Sequence, residues 1–389
     1  MTAGVVAMNA GAAAIAADSA VTIPFRRGAK HYRGACKIIA LHRDEPVGVF
    51  WYGDAEYQGV PWEVLLKDYR AQASATCARL EEYAQAMWGF VDTETPQWNV
   101  DPSTEPAAAA TVRGLFDKVE RAAGGLSGDA RDAVVQKVVN RWAEDRRPVA
   151  RVLADEQVND CDNLWTWFNE RLEELESEVG PLGGTARAAL RAAALDAWAR
   201  LSAREPGHSG IVVVGYGTAQ RTPSLCHYLI GPPACGLPRR VGASVVSIGS
   251  NRPAAIVPFA QNDVVRLFIE GIDPTLQEWF IGTLERLESD YGIPSAAVEQ
   301  LAKRLTNEIN HHGQPVIEAV RFLPKADLAE FARSLIAFTA FRLKMSLADE
   351  SVAEPIDVAV ISRSEGLVWV HRTHYFEMDQ NPHFARRYR

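Results

Sequence analysis

The sequence has no Cys-x-x-Cys pair, and its five cysteines are an odd number spread through 389 residues. Disulfide frameworks and zinc clusters need paired or closely spaced cysteines, so we expect reduced thiols and no structural metal. An excess of basic residues is also missing, because 49 Asp and Glu stand against 41 Lys and Arg, a formal net charge of −8. Nucleic acid is therefore excluded as an expected partner, since binding it requires neutralising phosphates.

Long apolar runs are missing as well. No run approaches the roughly 20 residues that cross a bilayer. The apolar start of the chain lacks the basic residues of a signal peptide and is interrupted by Asn9 and Asp18. We therefore expect no membrane partner and a cytoplasmic location. With 47% hydrophobic residues, including ten Trp, the chain is expected to fold around a substantial core.

Familiar catalytic motifs are absent from the sequence: it contains no P-loop, no Gly-x-Gly-x-x-Gly after a strand, no Gly-x-Ser-x-Gly and no His-Glu-x-x-His. If residues 371–374 continue the predicted strand 367–371, the three-residue offset points the side chains of His371 and His374 to opposite faces, and we do not expect them to share a metal. We expect neither a cofactor nor a metal.

Hydrophobic patterning divides the chain into blocks of strands and blocks of helices. Strands are predicted over 4–8, 12–17, 37–41, 47–52, 211–216, 225–230, 243–248, 356–362 and 367–371. Helices are predicted from 61 to about 204, and from 261 to 347 with breaks at Pro274, Pro294 and Pro324. Such blocks favour antiparallel sheets covered by helices over alternating βαβ units.

Thr2 is a candidate nucleophile because it follows Met1 and leads directly into a predicted strand. Its small side chain permits removal of an initiator Met1, which would leave a free N-terminal threonine. The α-amine of such a residue can act as the base for its own hydroxyl. Its ordinary pKa of about 7.7–8.0 leaves a usable neutral fraction near pH 7.

The stretch from Thr2 to Thr22 resembles the opening of proteasome β-subunits and their bacterial two-component peptidase relatives, which are N-terminal nucleophile (Ntn) hydrolases. A threonine, a strand, a Gly turn and a second strand lead to an Asp at the position of Asp18. Lys37-Ile38-Ile39 is similar to the family's Lys-aliphatic-aliphatic strand start, and Gly53 stands where the family has its oxyanion Gly.

Later segments continue the resemblance in the same order. Val214-Gly215-Tyr216 through Pro223-Ser224-Leu225 looks like a hairpin of the family, and residues 357–361 look like its closing strand. Ser247-Ile248-Gly249-Ser250 looks like its Ile-Gly-Ser-Gly segment. The resemblance identifies the chain as a divergent bacterial branch of the family with a helical insertion.

The resemblance implies an α+β fold, a four-layer αββα sandwich formed by residues 1–60 and 207–389, with 61–206 as a large all-helical insertion. In the implied chemistry, Thr2 attacks the carbonyl of a peptide or other amide bond. The implied roles of the remaining residues are that Asp18 holds Lys37 beside the amine, the Gly53 N–H stabilises the oxyanion, and Ser250 orients the amine.

Some positions depart from the family's pattern. Gly217 replaces an Asp, Asn251 replaces a Gly, and no Asp-x-x-Ser pair is found near residues 342–346. Read without the resemblance, Asp18 also suits a turn, Lys37 suits the surface, and Gly53 and Ser250 suit ordinary loops. The implied function is a threonine peptidase. A catalytically inactive assembly or scaffold subunit, and an amidase of a small molecule, remain alternatives.

The family packs its subunits side by side, so the resemblance implies a homo-oligomer that takes a peptide or protein substrate, with any unfoldase partner unknown. Trp165 and Trp167 are two residues apart and cannot share one helical face. One of them is expected to face a neighbouring helix or a partner subunit. The alternative is a helix buried on both sides within one chain.

Overall fold

The computed structural model describes residues 3–25, 28–32, 34–94, 107–346, 352, 354–374, 376–377 and 380–381. The strands are β1 (Ala3–Asn9), β2 (Ala13–Asp18), β3 (Val21–Phe25), β4 (Gly28–Tyr32), β5 (Ile38–Ala40), β6 (Val47–Gly53), β7 (Glu56–Tyr57), β8 (Val60–Pro61), β9 (Ala150–Arg151), β10 (Arg200–Leu201), β11 (Ser209–Gly215), β12 (Ser224–Ala234), β13 (Leu237–Ser247), β14 (Ala254–Ala260), β15 (Ile356–Ser362) and β16 (Gly366–His371). The helices are α1 (Trp62–Gln72), α2 (Leu80–Glu94), α3 (Ala110–Ala123), α4 (Gly128–Arg146), α5 (Asp155–Asn159), α6 (Asp162–Val179), α7 (Gly184–Ala199), α8 (Asp263–Glu270), α9 (Pro274–Tyr291), α10 (Ser295–Phe322) and α11 (Lys325–Lys344).

The first sheet contains five antiparallel strands in the order β14-β1-β2-β15-β16. The hairpin β1–β2 turns where it was predicted, because the side-chain oxygen of Asn9 accepts the N–H groups of Gly11 at 2.9 Å and Ala12 at 3.2 Å. Strand β14 was not predicted. It lies at the edge of the sheet, where a proline such as Pro258 is tolerated because one side of the strand forms no ladder.

The second sheet is also antiparallel, with the order β13-β12-β11-β6-β5. One apolar core contains residues of both sheets, among them Val6, Ile15, Phe50 and Val212. Further cores join α1 and α2 to the second sheet, and α8, α10 and α11 to the first sheet. The prediction of a mixed α and β fold with antiparallel sheets is therefore confirmed.

A fourth core lies among α3, α4, α6 and α7. Trp165 and Trp167 both belong to it, and their rings lie 5.1 Å and 6.5 Å from the ring of Trp198 on α7. The expectation that one of these rings faces a neighbouring helix is confirmed, because both contact Trp198 on α7. Trp165 and Trp167 do not share one face of α6, but Trp198 is large enough to contact both rings within the chain.

Cys161 and Cys235 form a disulfide, so the expectation of reduced thiols is wrong for this pair. Their separation of 74 residues gave no sign of pairing in the sequence. The two cysteines meet because the start of α6 packs beside the turn between β12 and β13. Cys36, Cys77 and Cys226 are free thiols.

The proline positions mark helix starts in the C-terminal block as predicted. Helix α9 begins at Pro274, and α10 and α11 follow directly after Pro294 and Pro324. Proline suits these positions because its missing N–H is not required in the first turn. Among the residues that the structure describes, no helix combines the length and apolarity needed to cross a membrane.

Candidate functional site

Asp18 and Lys37 form a buried ion pair where β2 ends and β5 begins. Lys37 Nζ donates to Asp18 Oδ1 at 3.0 Å, and the two side chains are only 4% and 0% exposed. Nζ also donates to the carbonyl oxygen of Ala20 at 2.5 Å. The lysine is therefore not a surface residue, and the carboxylate is not a solvated turn residue.

Asp18 also holds the start of β1. The N–H of Ala3 donates to Asp18 Oδ1 at 3.0 Å, and the N–H of Ala20 donates to Oδ2 at 3.1 Å. Because Lys37 Nζ and the Ala3 nitrogen each lie 3.0 Å from the same oxygen, they are at most about 6 Å apart. Met1 and the predicted nucleophile Thr2 lie outside the described residues.

Burial opposes both charges of this pair. It raises the pKa of Asp18 and lowers the pKa of Lys37, and in each case the partner's charge offsets part of the effect. The three hydrogen bonds that Asp18 accepts favour its charged form.

Gly53 lies at the same end of the molecule as Asp18 and Lys37. The Trp51 N–H donates to the Lys37 carbonyl at 3.3 Å, and backbone N–H groups alternate along a strand. The N–H of Gly53 therefore points to the same side as that of Trp51. Glycine is required here, because its φ is +86° and a Cβ would lie 2.4 Å from the His208 carbonyl oxygen.

Ser250 is not brought to this site. It is exposed in the turn after β13, and four residues later Ala254 pairs with Asn9. Ala3 instead pairs with Ala260, at the other end of β14. A seven-residue strand spans about 20 Å, so this turn lies at the far end of β1 from Ala3. The prediction that Ser250 supports the site failed because β14 was missed.

The structure adds a second carboxylate that the sequence reasoning passed over as part of a closing strand. Asp357 on β15 is only 2% exposed and pairs in register with Ala17, the residue before Asp18. Its Oδ1 accepts the N–H of Thr373 at 2.7 Å. The available signal was an Asp within the otherwise apolar strand Ile356–Ser362, a place where charge is rarely buried without a reason.

A Tyr–His pair lies between the sheets, and it was not predicted either. The hydroxyl of Tyr52 is 2.7 Å from His227 Nε2, and Phe259 packs against both rings. Tyr52 reaches across β11 because Gly210 has no side chain, where a Cβ would lie 2.0 Å from the Tyr52 ring. Burial lowers the pKa of His227 to about 4. No group of three or more His, Cys, Asp or Glu within the described ranges is arranged to hold a metal ion.

The chain was compared with known proteins. No family model matches it, and no curated protein matches it. A Gly-1 mutant of Anbu from Hyphomicrobium sp. strain MC1 is similar in structure at 8% identity and a TM-score of 0.31, over 100% of this chain and 94% of that one. Anbu (ancestral beta-subunit) from Yersinia bercovieri is 9% identical with a TM-score of 0.31, over 99% and 93%. A further Anbu structure from Hyphomicrobium sp. strain MC1 is 8% identical with a TM-score of 0.33, over 99% and 94%.

These findings correct the family assignment made from the sequence. The chain was identified as a divergent member of the proteasome β-subunit-like Ntn hydrolases, and that assignment is wrong as stated. The similar structures are named as Anbu and not as Ntn hydrolases, and their TM-scores of 0.31 to 0.33 are low.

Proposed function

We propose that this protein hydrolyses peptide or other amide bonds with Thr2 as its nucleophile, after removal of whatever precedes Thr2. The Thr2 hydroxyl attacks the carbonyl carbon, the α-amine of Thr2 accepts the hydroxyl proton, and the leaving amine takes that proton as the acyl–enzyme ester forms. Water then cleaves the ester, which releases the acid product and restores the free hydroxyl.

One observation carries this proposal: the buried Asp18 carboxylate bonds both Lys37 Nζ and the N–H of Ala3 through the same oxygen. Covalent geometry keeps the α-nitrogen of Thr2 within about 3.7 Å of the Ala3 nitrogen, whatever the conformation of residue 2. The Lys37 ammonium is consequently within about 10 Å of that amine. Through a poorly hydrated interior, a positive charge at this range favours the neutral amine that the reaction needs.

Gly53 is the proposed oxyanion donor. Its N–H points toward the side where Lys37 and the start of β5 lie, and its position at the end of β6 is exposed. An oxyanion donor contributes about 2.7–4 kcal/mol in well-studied hydrolases. Ser250 has no part in the proposed site because it lies at the other end of β1.

We also propose a four-layer arrangement. The layers are, in order, α1 and α2, the second sheet, the first sheet, and the C-terminal helices, and each core lies between two neighbouring layers. The composition of the three cores supports this αββα arrangement. Helices α1 and α2 belong to the first layer, so within residues 61–206 the proposed insertion is the segment that forms the core among α3, α4, α6 and α7.

The test is hydrolysis of a fluorogenic peptidyl-amide library by the full chain and three variants. Thr2→Ala is expected to lower turnover by at least about a thousandfold, because it removes the nucleophile. Thr2→Ser should keep part of the activity, since it retains a hydroxyl and an amine. Thr306→Ala, at an exposed threonine on α10, is the matched control and should leave turnover unchanged.

Undiminished turnover in Thr2→Ala would overturn the proposed nucleophile. A wild-type protein that carries a free Thr2 and cleaves no member of the library would instead favour an assembly or scaffold role.

A further inference from the structure

Asp357 lies beside the Asp18–Lys37 pair on the neighbouring strand. Strand β15 pairs with β2 so that Ile356 is opposite Asp18 and Asp357 is opposite Ala17. The carbonyl of Pro355 accepts the N–H of Ser19 at 3.1 Å, which fastens the end of β2 to the start of β15. The neighbours Ala17 and Ala359 belong to the core between the sheets, and alternation along β15 places Asp357 on the same face.

The carboxyl group of Asp357 is incompletely satisfied. Its Oδ1 accepts one backbone N–H, from Thr373, while Oδ2 is buried without a hydrogen-bond partner among the described residues. Burying a carboxylate oxygen in this way is costly unless a nearby charge compensates it. Lys37 is a buried cation near the end of β2, and the charge of Asp357 acts on it.

We infer that Asp357 is a second carboxylate of the candidate site, a positioning residue that acts on Lys37 through space and keeps its ammonium group charged. One buried carboxylate and one buried ammonium can neutralise each other by passing a single proton from nitrogen to oxygen. A second negative charge near the lysine opposes that transfer, because it stabilises the ammonium group relative to the neutral amine.

This inference deepens the proposed function and rests on it for its role in catalysis. In that chemistry Lys37 must stay positive in order to favour the neutral amine of Thr2. Asp18 alone both orients the lysine and competes for its proton. Asp357 separates the two tasks, because it contributes charge without a direct hydrogen bond to Nζ among the described contacts.

Several other charged or titratable groups influence the pKa values of Lys37 and Asp357, so they must be considered when the titrations of these two residues are interpreted. Asp18 faces Lys37 directly from the end of β2. Cys36 precedes Lys37, and burial raises the pKa of its thiol, with a further contribution from Asp357. Burial raises the pKa of Asp357, and Arg372 and His374, which follow β16, offset part of that effect.

The test follows the titration of Lys37 by NMR in the full chain carrying ¹³C-labelled lysine. The Lys37 Cε resonance is assigned by its loss in Lys37→Arg. Asp357→Asn keeps the shape and removes the charge, and it is expected to lower the apparent pKa of Lys37 by about one unit. Asp357→Glu, which keeps the charge, should restore most of the shift. Glu354→Gln is the matched control, because it removes a negative charge from an exposed residue three positions away.

A reciprocal measurement needs no change at position 357 and applies if Asp357→Asn does not fold. Coupling between two sites is mutual, so Lys37→Met should raise the apparent pKa of the Asp357 carboxyl by the same amount. An unchanged Lys37 titration in Asp357→Asn, an equal shift in Glu354→Gln, or an unchanged Asp357 titration in Lys37→Met would each overturn the inference. If the titrations of Lys37 and Asp357 are coupled but the protein hydrolyses no substrate, the electrostatic coupling is upheld and the proposed hydrolase is rejected. The failure of the inference and the failure of the proposed function are therefore distinguishable.

Discussion

Burial determines the charge of single side chains in the space between the two sheets. His227 is neutral at pH 7, because burial lowers its pKa from 6.5 to about 4. The same burial raises the pKa of its partner Tyr52 above the ordinary range of a phenol. Both groups of this hydrogen bond are therefore uncharged over the physiological range, which suits a position beside the apolar ring of Phe259.

The titration of His227 predicts a pH dependence of stability. Between its folded pKa of about 4 and its unfolded pKa of 6.5, the unfolded chain binds more protons at this residue, so stability rises with pH and is lost as pH falls. The free energy of unfolding should fall by up to about 3 kcal/mol more in wild type than in His227→Gln between pH 6.5 and 4.

Urea unfolding at a series of pH values measures this difference. His311→Gln, at an exposed histidine on α10, is the control and should follow wild type. The same pH dependence in His227→Gln and wild type would contradict the assignment of a neutral, buried imidazole.

Single residues also show how far the sequence could predict the site. The resemblance stated above implied that Asp18 and Lys37 act together, and they form a 3.0 Å ion pair. Asp357 joins them only through the pairing of β15 with β2, which links residues more than 300 positions apart. The contact between Tyr52 and His227 depends on the missing Cβ of Gly210 on a third strand. Local patterns carry no information about such contacts.

Strands and helices were predicted well where their apolar pattern was strong. The hairpin β1–β2, the strand pair β15–β16 and the proline-marked helix starts all follow from turn residues and alternation. Strand β14 was missed, although its position at the edge of the sheet tolerates Pro258. Because β14 was missed, the predicted position of Ser250 was also wrong. The place beside Ala3 that the prediction gave to Ser250 is occupied by Ala260, at the end of β14.

A buried ionic cluster connects the helical segment to the second sheet. Glu205, just before β11, accepts hydrogen bonds from Arg239 on β13 at 2.9 Å and from Arg146 on α4 at 3.2 Å. The Arg239 side chain is fully buried and also bonds the carbonyl groups of Ala197 and Arg200. This cluster fixes α4 and α7 against the hairpin of β12 and β13.

Glu205→Gln should therefore destabilise the protein by about 3 kcal/mol, because it leaves two buried guanidinium groups without a compensating charge. Glu278→Gln is the matched control. It removes the carboxylate of an exposed ion pair with Arg147, which contributes little to stability because solvent screens it. Urea denaturation compares the free energies of unfolding. Equal losses of the free energy of unfolding in Glu205→Gln and Glu278→Gln would show that the buried cluster stabilises the protein no more than the exposed ion pair does.

Exposed apolar side chains are unevenly distributed over the surface of the molecule. Helices α9 and α11 carry large exposed side chains, with Trp279 66% and Phe341 57% exposed. The ion pair between Arg342 and Asp273, at 2.9 Å, holds the end of α11 beside the start of α9. The tryptophans of the helical segment described above are packed internally instead. We therefore propose that the chain self-associates with a second copy through α9 and α11.

Light scattering at micromolar concentration tests the association. The wild-type mass should be a multiple of 42.7 kDa, and Trp279→Glu combined with Phe341→Glu should reduce it to the monomer. Val64→Glu, on the exposed side of α1, is the control and should not change the mass. A wild-type monomer of 42.7 kDa would contradict the proposed oligomer.

The central claim is a free Thr2 that acts as a nucleophile beside the Asp18–Lys37 pair. Intact-mass spectrometry of the purified protein, before and after treatment with a peptidyl epoxyketone, tests it most directly, because this electrophile closes a ring with the hydroxyl and the amine of an N-terminal threonine. The account predicts a chain that begins at Thr2 and gains one adduct there, with no adduct in Thr2→Ala. A chain that keeps Met1, or an adduct at Cys36 instead of Thr2, would contradict it.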